Sequence, residues 1–190
     1  MNRLFNMNRL LIVTMLFLLG ACTNLAPQDE SSPFYTIPEQ SKLIVNSDIV
    51  IPARELKVYV QGSRIANDAA KLYPYCIFEL RERKANAQLI KPDVFTISRV
   101  SRNIDYIAGI VEPSFQLASN ENILIISPNG GDGPGLVTYA TYMYLHSPNQ
   151  PEVLRLICAQ LKDFDPLSKH LSIDQMRAAL GPAFSLEVAR

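Results

Sequence analysis

Tryptophan is absent from this chain of 190 residues, and histidine and cysteine are scarce, with two and three copies. Protein zinc sites draw mainly on those two residue types, and neither His146 nor His170 has another candidate ligand close by in the sequence. The chain also lacks a Gly-x-Ser-x-Gly motif, and its glycine-rich stretch 130–135 lacks the Gly-Lys-Ser/Thr ending of a phosphate-binding loop. We therefore predict no metal, no cofactor and no catalytic residue, and we interpret 130–135 as a turn between strands.

A short apolar run near the N-terminus is typical of an export signal. Arg3 and Arg9 precede the apolar residues 10–19, and small residues and Cys22 come directly after them. As a helix, this run of ten residues spans only about 15 Å, half of a ~30 Å hydrocarbon core. The sequence Leu-Gly-Ala-Cys at 19–22 resembles the lipobox of bacterial lipoproteins, which implies removal of residues 1–21 and a lipid on Cys22.

The same resemblance implies a location. In the enterobacterial sorting rule, Asp directly after the lipidated cysteine favours the inner membrane, whereas this chain has Thr23. We therefore expect an outer-membrane anchor with the rest of the chain facing the periplasm, because two or more acyl chains hold a protein stably on a membrane. A secretory signal that is cleaved without lipid attachment is the alternative.

The charge and length of the mature chain limit its domain organisation and its partners. Residues 1–21 contain two of the 18 basic residues and none of the 18 acidic ones, so the mature chain carries a net charge of about −2 and nucleic acid is not an expected partner. We interpret residues 22–41, which contain three prolines and mostly polar residues, as a lipidated N-terminus and flexible tether. Residues 42–190 are then one periplasmic domain of ordinary size.

The period of the apolar residues is two over most of this domain. Cys76, Phe78 and Leu80 alternate with more polar neighbours, as do Phe95 and Ile97. Such patterns predict half-buried strands within 43–51, 56–61, 76–81, 95–98, 104–111, 123–127 and 137–146. Several short strands at this spacing favour a mainly antiparallel β sandwich or partly open barrel.

The C-terminal quarter instead predicts two helices packed on the sheet, and so an α+β fold. One helix would begin near Pro151, after a cap at Asn149 or Gln150, and place 153–161 on the sheet. The second has a Ser172-x-x-Gln175 capping box and a Gly-Pro stop at 181–182, with a last strand at 184–188.

With Cys22 lipidated, Cys76 and Cys158 remain as an even pair in an oxidising compartment, and we predict that they form a disulfide bond. In the predicted fold Cys76 lies on the apolar face of a strand and Cys158 on the apolar face of the first helix. The bond would then fasten the helix to the sheet. Two buried free thiols are the alternative.

Two tyrosines are the candidate contact surface. On a strand, Tyr142 and Tyr144 share a face with His146, while Tyr139 points to the other side. If the first pair faces outward, it offers a large contact area at low entropy cost, although packing between neighbouring strands is the usual role of such residues. Basic residues at 81–84, Arg99 and a nearby arginine at 102 are interpreted as a charged, solvated edge.

Several segments together resemble a group of uncharacterised lipoproteins of Gram-negative bacteria that have a lipobox and two further cysteines. The resemblance covers most of residues 50–181 and rests on segments 51–62, 73–79, 90–95 and 150–158. It implies an envelope location and transfers no catalytic residue. We therefore expect a non-enzymatic module that binds or supports another envelope component, a protein or peptidoglycan. The alternative is a small-molecule-binding or catalytic module with a pocket between sheet and helices.

Overall fold

A computed structural model describes residues 29–106, 136–163 and 169–189. Cys22, the predicted signal, the glycine-rich stretch 130–135 and the strand predicted at 123–127 lie outside these ranges. The described residues form ten strands, one α-helix, α1 (Ile173–Leu180), and a 3-10 turn (Gly181–Ala183). The strands are β1 (Lys42–Val45), β2 (Ile49–Ile51), β3 (Lys57–Gln61), β4 (Arg64–Ala66), β5 (Tyr75–Leu80), β6 (Gln88–Ile90), β7 (Asp93–Tyr106), β8 (Leu136–His146), β9 (Val153–Asp163) and β10 (Phe184–Glu187).

Eight of the strands form one curled sheet that makes half of a barrel, in the order β10-β1-β7-β8-β9-β5-β3-β4. All of its strand pairs are antiparallel. The prediction of a mainly antiparallel, partly open barrel is therefore confirmed at this level. Strand β9 lies between β8 and β5, so it joins the N-terminal strand group β3–β5 to the rest of the sheet.

The inner face of the sheet is covered by α1 and by a separate two-stranded ribbon, β2–β6. Phe78 from β5, Phe95 from β7 and Phe184 from β10 meet there as buried rings, with the centroid of the Phe78 ring 5.5–6.2 Å from the other two. The ribbon contributes Ile49, Ile51 and Ile90, while its other face exposes Val50 and Leu89. One continuous core therefore joins sheet, ribbon and helix.

The helix predicted to begin at Pro151 does not exist, and the prediction is wrong. The residues form β9, an 11-residue strand in the interior of the sheet. Leu156 and Cys158 are buried on the inner face, and Ile157 and Ala159 are buried on the outer face. A strand covered on both sides has a nearly continuous apolar run, which a 3.6-residue period also fits.

Asn149 and Gln150, the predicted helix caps, instead belong to the turn between β8 and β9. The Asp93 carboxylate accepts hydrogen bonds from the side chains of Ser147, Asn149 and Gln150, at 2.6–3.3 Å. Gln150 also bonds both backbone polar groups of Lys91. Although burial opposes ionisation, these hydrogen bonds hold the pKa of Asp93 below its usual value. The turn is thus fastened to the start of β7.

The second predicted helix, α1, is confirmed. Ser172 accepts a hydrogen bond from the Gln175 backbone N–H, and the Gln175 side chain accepts one from the Ser172 N–H, which completes the predicted capping box. The helix ends at Gly181, and β10 follows as the predicted last strand. The α+β prediction of two C-terminal helices is therefore correct for one helix only.

Two glycines allow the end of α1 to approach the β3–β4 turn. Gly181 has φ +59° and Gly62 has φ +65°, both in the left-handed region. The Gly62 N–H donates a 2.7 Å hydrogen bond to the Ala179 carbonyl. A Cβ atom at Gly181 would lie 2.0 Å from the Gly62 oxygen, whereas a Cβ at Gly62 would meet nothing within 4 Å.

Alanine substitutions at these two positions distinguish the cost of a left-handed backbone from the cost of a steric collision. We expect Gly62→Ala to lower the free energy of unfolding by about 1 kcal/mol, the cost of a left-handed alanine. Gly181→Ala adds a backbone collision and should cost about 2–4 kcal/mol. Urea unfolding of both variants measures the difference, and equal losses would show that the contact between α1 and the turn is not tight.

The disulfide bond between Cys76 and Cys158 is present, as predicted. Its location differs from the expected one, because Cys158 lies on β9 rather than on a helix. The two residues are direct partners across the β5–β9 pair, with Cα atoms 4.0 Å apart, and both are buried on the inner face. The bond therefore closes the junction between two neighbouring strands.

The described part of the expected tether, residues 29–41, contacts the domain. Ile37 is buried in the core, and the Arg102 guanidinium donates hydrogen bonds to the carbonyls of Pro33 and Tyr35. Glu30 pairs with Arg177 of α1. The chain thus reaches the sheet along one side of α1.

Candidate functional site

Strand alternation places the two predicted contact tyrosines on the outer face of the sheet. Tyr142 and Tyr144 are half-buried there beside the exposed His146, while Tyr139 and Met143 are buried on the opposite side. The predicted division of the strand into two faces is confirmed. The outer face also carries charged residues from neighbouring strands.

Five side chains form a row across five neighbouring strands. The register aligns Arg99 of β7 with Tyr144 of β8, and Tyr144 with Arg155 of β9. It continues from Arg155 to Glu79 of β5, and from Glu79 to Lys57 of β3. We call this row and the adjacent tyrosine the tyrosine–arginine face; it consists of Lys57, Glu79, Arg99, Tyr142, Tyr144 and Arg155.

Arginine and tyrosine side chains stack on one another along the row. The Arg99 guanidinium carbon lies 3.9 Å from the centroid of the Tyr144 ring, and that of Arg155 lies 5.1 Å from the Tyr142 ring. Arg155 also forms a 2.5 Å ion pair with Glu79. Cation–π contacts of this kind contribute about 0.5–1 kcal/mol each at exposed sites. These contacts connect the side chains of the face to one another without a partner.

Only one of the three cations on the face is paired with a carboxylate within the described ranges. Arg155 has Glu79, but within the described ranges neither Arg99 nor Lys57 has a carboxylate within 4.0 Å. Lys57 instead lies 5.5 Å from the ring centroid of Tyr59. The row therefore presents one neutralised pair between two cations that remain available to an acidic partner.

Tyr142 is held by a carboxylate at one margin of the face. Its hydroxyl donates a 2.7 Å hydrogen bond to Asp105. Burial and this hydrogen bond raise the pKa of Tyr142 to about 12. The phenol thus stays protonated and keeps its orientation at any physiological pH.

A small apolar cluster supports the face from the neighbouring rows. Tyr75, Ala140, Ile157 and Ala159 are buried together, with Tyr142 packed against them. Tyr59 and Tyr75 are in ring contact at 6.0 Å. The centre of the outer face is therefore well packed, which suits a preorganised interface.

Sequence patterns predicted the tyrosines of this face but not its charged members. The sequence predicts one charged edge that includes Arg99 and Arg102, yet they lie on opposite faces of β7, Arg99 over Tyr144 and Arg102 bonded to the chain near Pro33. A β-bulge at Ser98, between paired residues Ile97 and Arg99, shifts the alternation of this strand. Sequence alternation alone does not reveal where such a bulge lies.

His170, one of the two histidines of the chain, lies in a half-buried environment. The half-buried ring contacts Tyr139 edge-on, with centroids 5.7 Å apart. Burial and the nearby Arg102 guanidinium lower the pKa of His170, so the imidazole is neutral at pH 7. No ion pair joins it to a carboxylate within the described part of the chain. The other histidine, His146, is exposed at the end of β8.

One open groove lies between α1 and the sheet, where the alternative hypothesis predicted a pocket. Its volume is about 420 Å³, and it is lined by Gln61, Gly62, Tyr73, Pro74, Gln175, Ala178 and Ala179. Both ends of the Gln61 amide already bond the backbone of the 70–74 loop. The groove is therefore mostly apolar and has no charged side chain in its lining.

Metal-binding clusters and membrane-spanning helices are both absent from the described residues. Within 29–106, 136–163 and 169–189 there is no group of three or more His, Cys, Asp or Glu side chains that could hold a metal ion. No helix in the same ranges is long and apolar enough to cross a membrane.

Comparison of the chain with protein-family models, curated proteins and solved structures finds no match. The features that bear on function are therefore the geometry of the tyrosine–arginine face and the N-terminal sequence.

Proposed function

We propose that this chain is a lipid-anchored, non-enzymatic module of the bacterial cell envelope that holds another envelope component against its tyrosine–arginine face. The observation that carries the proposal is the row of aligned side chains across five strands, in which arginine and tyrosine side chains stack on β7, β8 and β9. Tyrosine and arginine are enriched in protein interfaces and among the residues that dominate binding energy. The anchor is the lipid proposed for Cys22, on the outer membrane with the domain in the periplasm.

A protein with acidic groups is the partner that fits best. Arg99 and Lys57 offer unpaired positive charge, while Glu79 is already neutralised by Arg155. Peptidoglycan is less suited, because a sugar ring stacks on an open aromatic face and the Tyr144 ring is covered by Arg99 at 3.9 Å. Complementary charge at such a face steers association and selects partners.

Photo-crosslinking in intact cells tests this proposal. Asn103 is exposed on the same face of β7 as Arg99, so a photoreactive phenylalanine there should form a light-dependent adduct with one envelope protein. Arg99→Glu should reduce that adduct about tenfold, whereas Lys91→Glu, an equal charge change at an exposed site outside the face, should leave it unchanged.

Other results would contradict the proposal. No adduct at Asn103, or an adduct that Arg99→Glu leaves intact, would remove this face as the contact surface. Co-sedimentation of the purified protein with peptidoglycan sacculi, lost in Arg99→Glu, would identify peptidoglycan as the partner in place of a protein.

A further inference from the structure

An exposed apolar pair lies on the loop between β4 and β5. Leu72 is 63% exposed and Tyr73 is 67% exposed, and Lys71 before them is exposed as well. Single exposed apolar residues need no explanation, whereas contiguous exposed apolar surface can mark an interaction site. Tyr73 is one wall of the groove between α1 and the sheet.

The loop is held in place by hydrogen bonds. The Lys71 and Leu72 carbonyls accept hydrogen bonds from β9, from the Leu161 N–H at 2.8 Å and from the Gln160 side chain at 2.7 Å. Gln61 bonds both Ala70 and a carbonyl further along the loop. The apolar side chains are thus presented in a fixed arrangement and do not result from a loosely packed segment.

The groove and the N-terminal end of the described chain both border α1. On one side of α1, the Glu30 carbonyl accepts a hydrogen bond from the Ile173 N–H and its carboxylate pairs with Arg177. On another side, Ala178 and Ala179 line the groove. The seven residues from 23 to 29 span at most about 25 Å, at 3.3–3.6 Å per residue. A lipid on Cys22 would therefore keep residue 29, next to the Glu30 that contacts α1, within about 25 Å of the membrane.

We propose that the Lys71–Tyr73 loop is a second membrane contact, which seats the domain on the phospholipid surface that holds its anchor. The inference rests on the lipidated Cys22 of the proposed function. Leu72 would enter the edge of the hydrocarbon region, Tyr73 would lie at headgroup level, where its ring and hydroxyl suit both environments, and Lys71 would meet lipid phosphates. The domain would then have one preferred orientation on the membrane.

Because the chain contains no tryptophan, a single one can report on the loop. Full-length lipidated protein carrying Tyr73→Trp is reconstituted into phosphatidylethanolamine–phosphatidylglycerol vesicles with and without brominated acyl chains. We expect strong quenching of this tryptophan by the brominated lipid. Leu89→Trp is the matched control, since Leu89 is 49% exposed on the β2–β6 ribbon, and its emission should be unchanged.

A partition measurement isolates the loop from the anchor. Mature chain with Cys22→Ser lacks the lipid, and in this background Leu72→Ser with Tyr73→Ser should lower the vesicle partition coefficient at least about tenfold. Val50→Ser with Leu89→Ser removes a similarly exposed apolar pair from the ribbon and should have no effect.

Each remaining outcome counts against the loop contact. Lipidated protein that floats with vesicles but shows no quenching at position 73 would overturn the loop contact and leave the anchor intact. Failure to float would overturn both. Equal losses of partitioning in the two double variants would show that any exposed apolar pair contributes, and that the loop has no special role. A dimer in sedimentation analysis that is lost in the Leu72–Tyr73 variant would identify a second copy of the chain as the occupant.

Discussion

Replacing Cys76 and Cys158 together with alanine is expected to lower the free energy of unfolding by about 2–5 kcal/mol. The bond closes a loop with a sequence separation of 82 between two strands that are neighbours in the sheet. In the chain-entropy model, a loop of that length raises the free energy of the unfolded chain by about 4–5 kcal/mol. Because β5–β9 is the junction between the two strand groups of the main sheet, the loss should affect the whole domain.

Urea unfolding with and without reductant measures this effect, in a Cys22→Ser background that removes the third thiol. Reductant should lower the midpoint of the parent protein and leave the double alanine variant unchanged. Non-reducing peptide mapping should join the fragments that contain Cys76 and Cys158. A parent protein whose midpoint is indifferent to reductant, with both thiols open to alkylation after unfolding, would refute the bond.

Phe78→Ala should be the most damaging of the single substitutions, with a loss of about 3–5 kcal/mol. Phe78 is fully buried at the centre of β5, and its ring contacts those of Phe95 and Phe184. It therefore links β5 with two strands, β7 and β10, that are not its neighbours in the sheet order. Truncation would remove apolar surface and leave a cavity that rigid neighbouring strands cannot fill.

Phe34→Ala is the matched control, because it makes the same chemical change at a ring that is 64% exposed. Its effect should stay within about 0.5 kcal/mol. Thermal and urea unfolding of both variants provide the comparison. A loss below about 1 kcal/mol for Phe78→Ala would mean that the inner core collapses around the missing ring, and that the three strands are less tightly joined than their contacts indicate.

The strands with one exposed and one buried face were predictable because each residue there has a single environment. Alternation on β5 correctly placed Cys76, Phe78 and Leu80 inward, and alternation on β8 separated Tyr142 and Tyr144 from the buried Tyr139. The capping box at Ser172 was predictable for a related reason, since its hydrogen bonds join residues only three apart. Sequence patterns therefore predicted the structure correctly where it depends on residues close together in the chain.

The prediction for β9 failed because the central residues of that strand, 156–159, are buried on both faces. Its alternation is hidden by apolar residues on either side, so the position of β9 between β8 and β5 decided its secondary structure. The row from Arg99 to Lys57 depends on the register of four strand pairs and on the bulge at Ser98, none of which is a local property of the sequence.

The sequence by itself determined the resemblance to an export signal with a lipobox and the alternating faces of β5 and β8, because these depend on residue identity and short spacing. It also predicted the pairing of Cys76 with Cys158, because they are the two cysteines that remain beside Cys22. Only the tertiary structure decided that the disulfide joins two strands and that arginines stack on the tyrosines of the outer face. It also decided that Leu72 and Tyr73 stand exposed beside α1. Each of these features brings together residues distant in the chain, and long-range strand pairing places them.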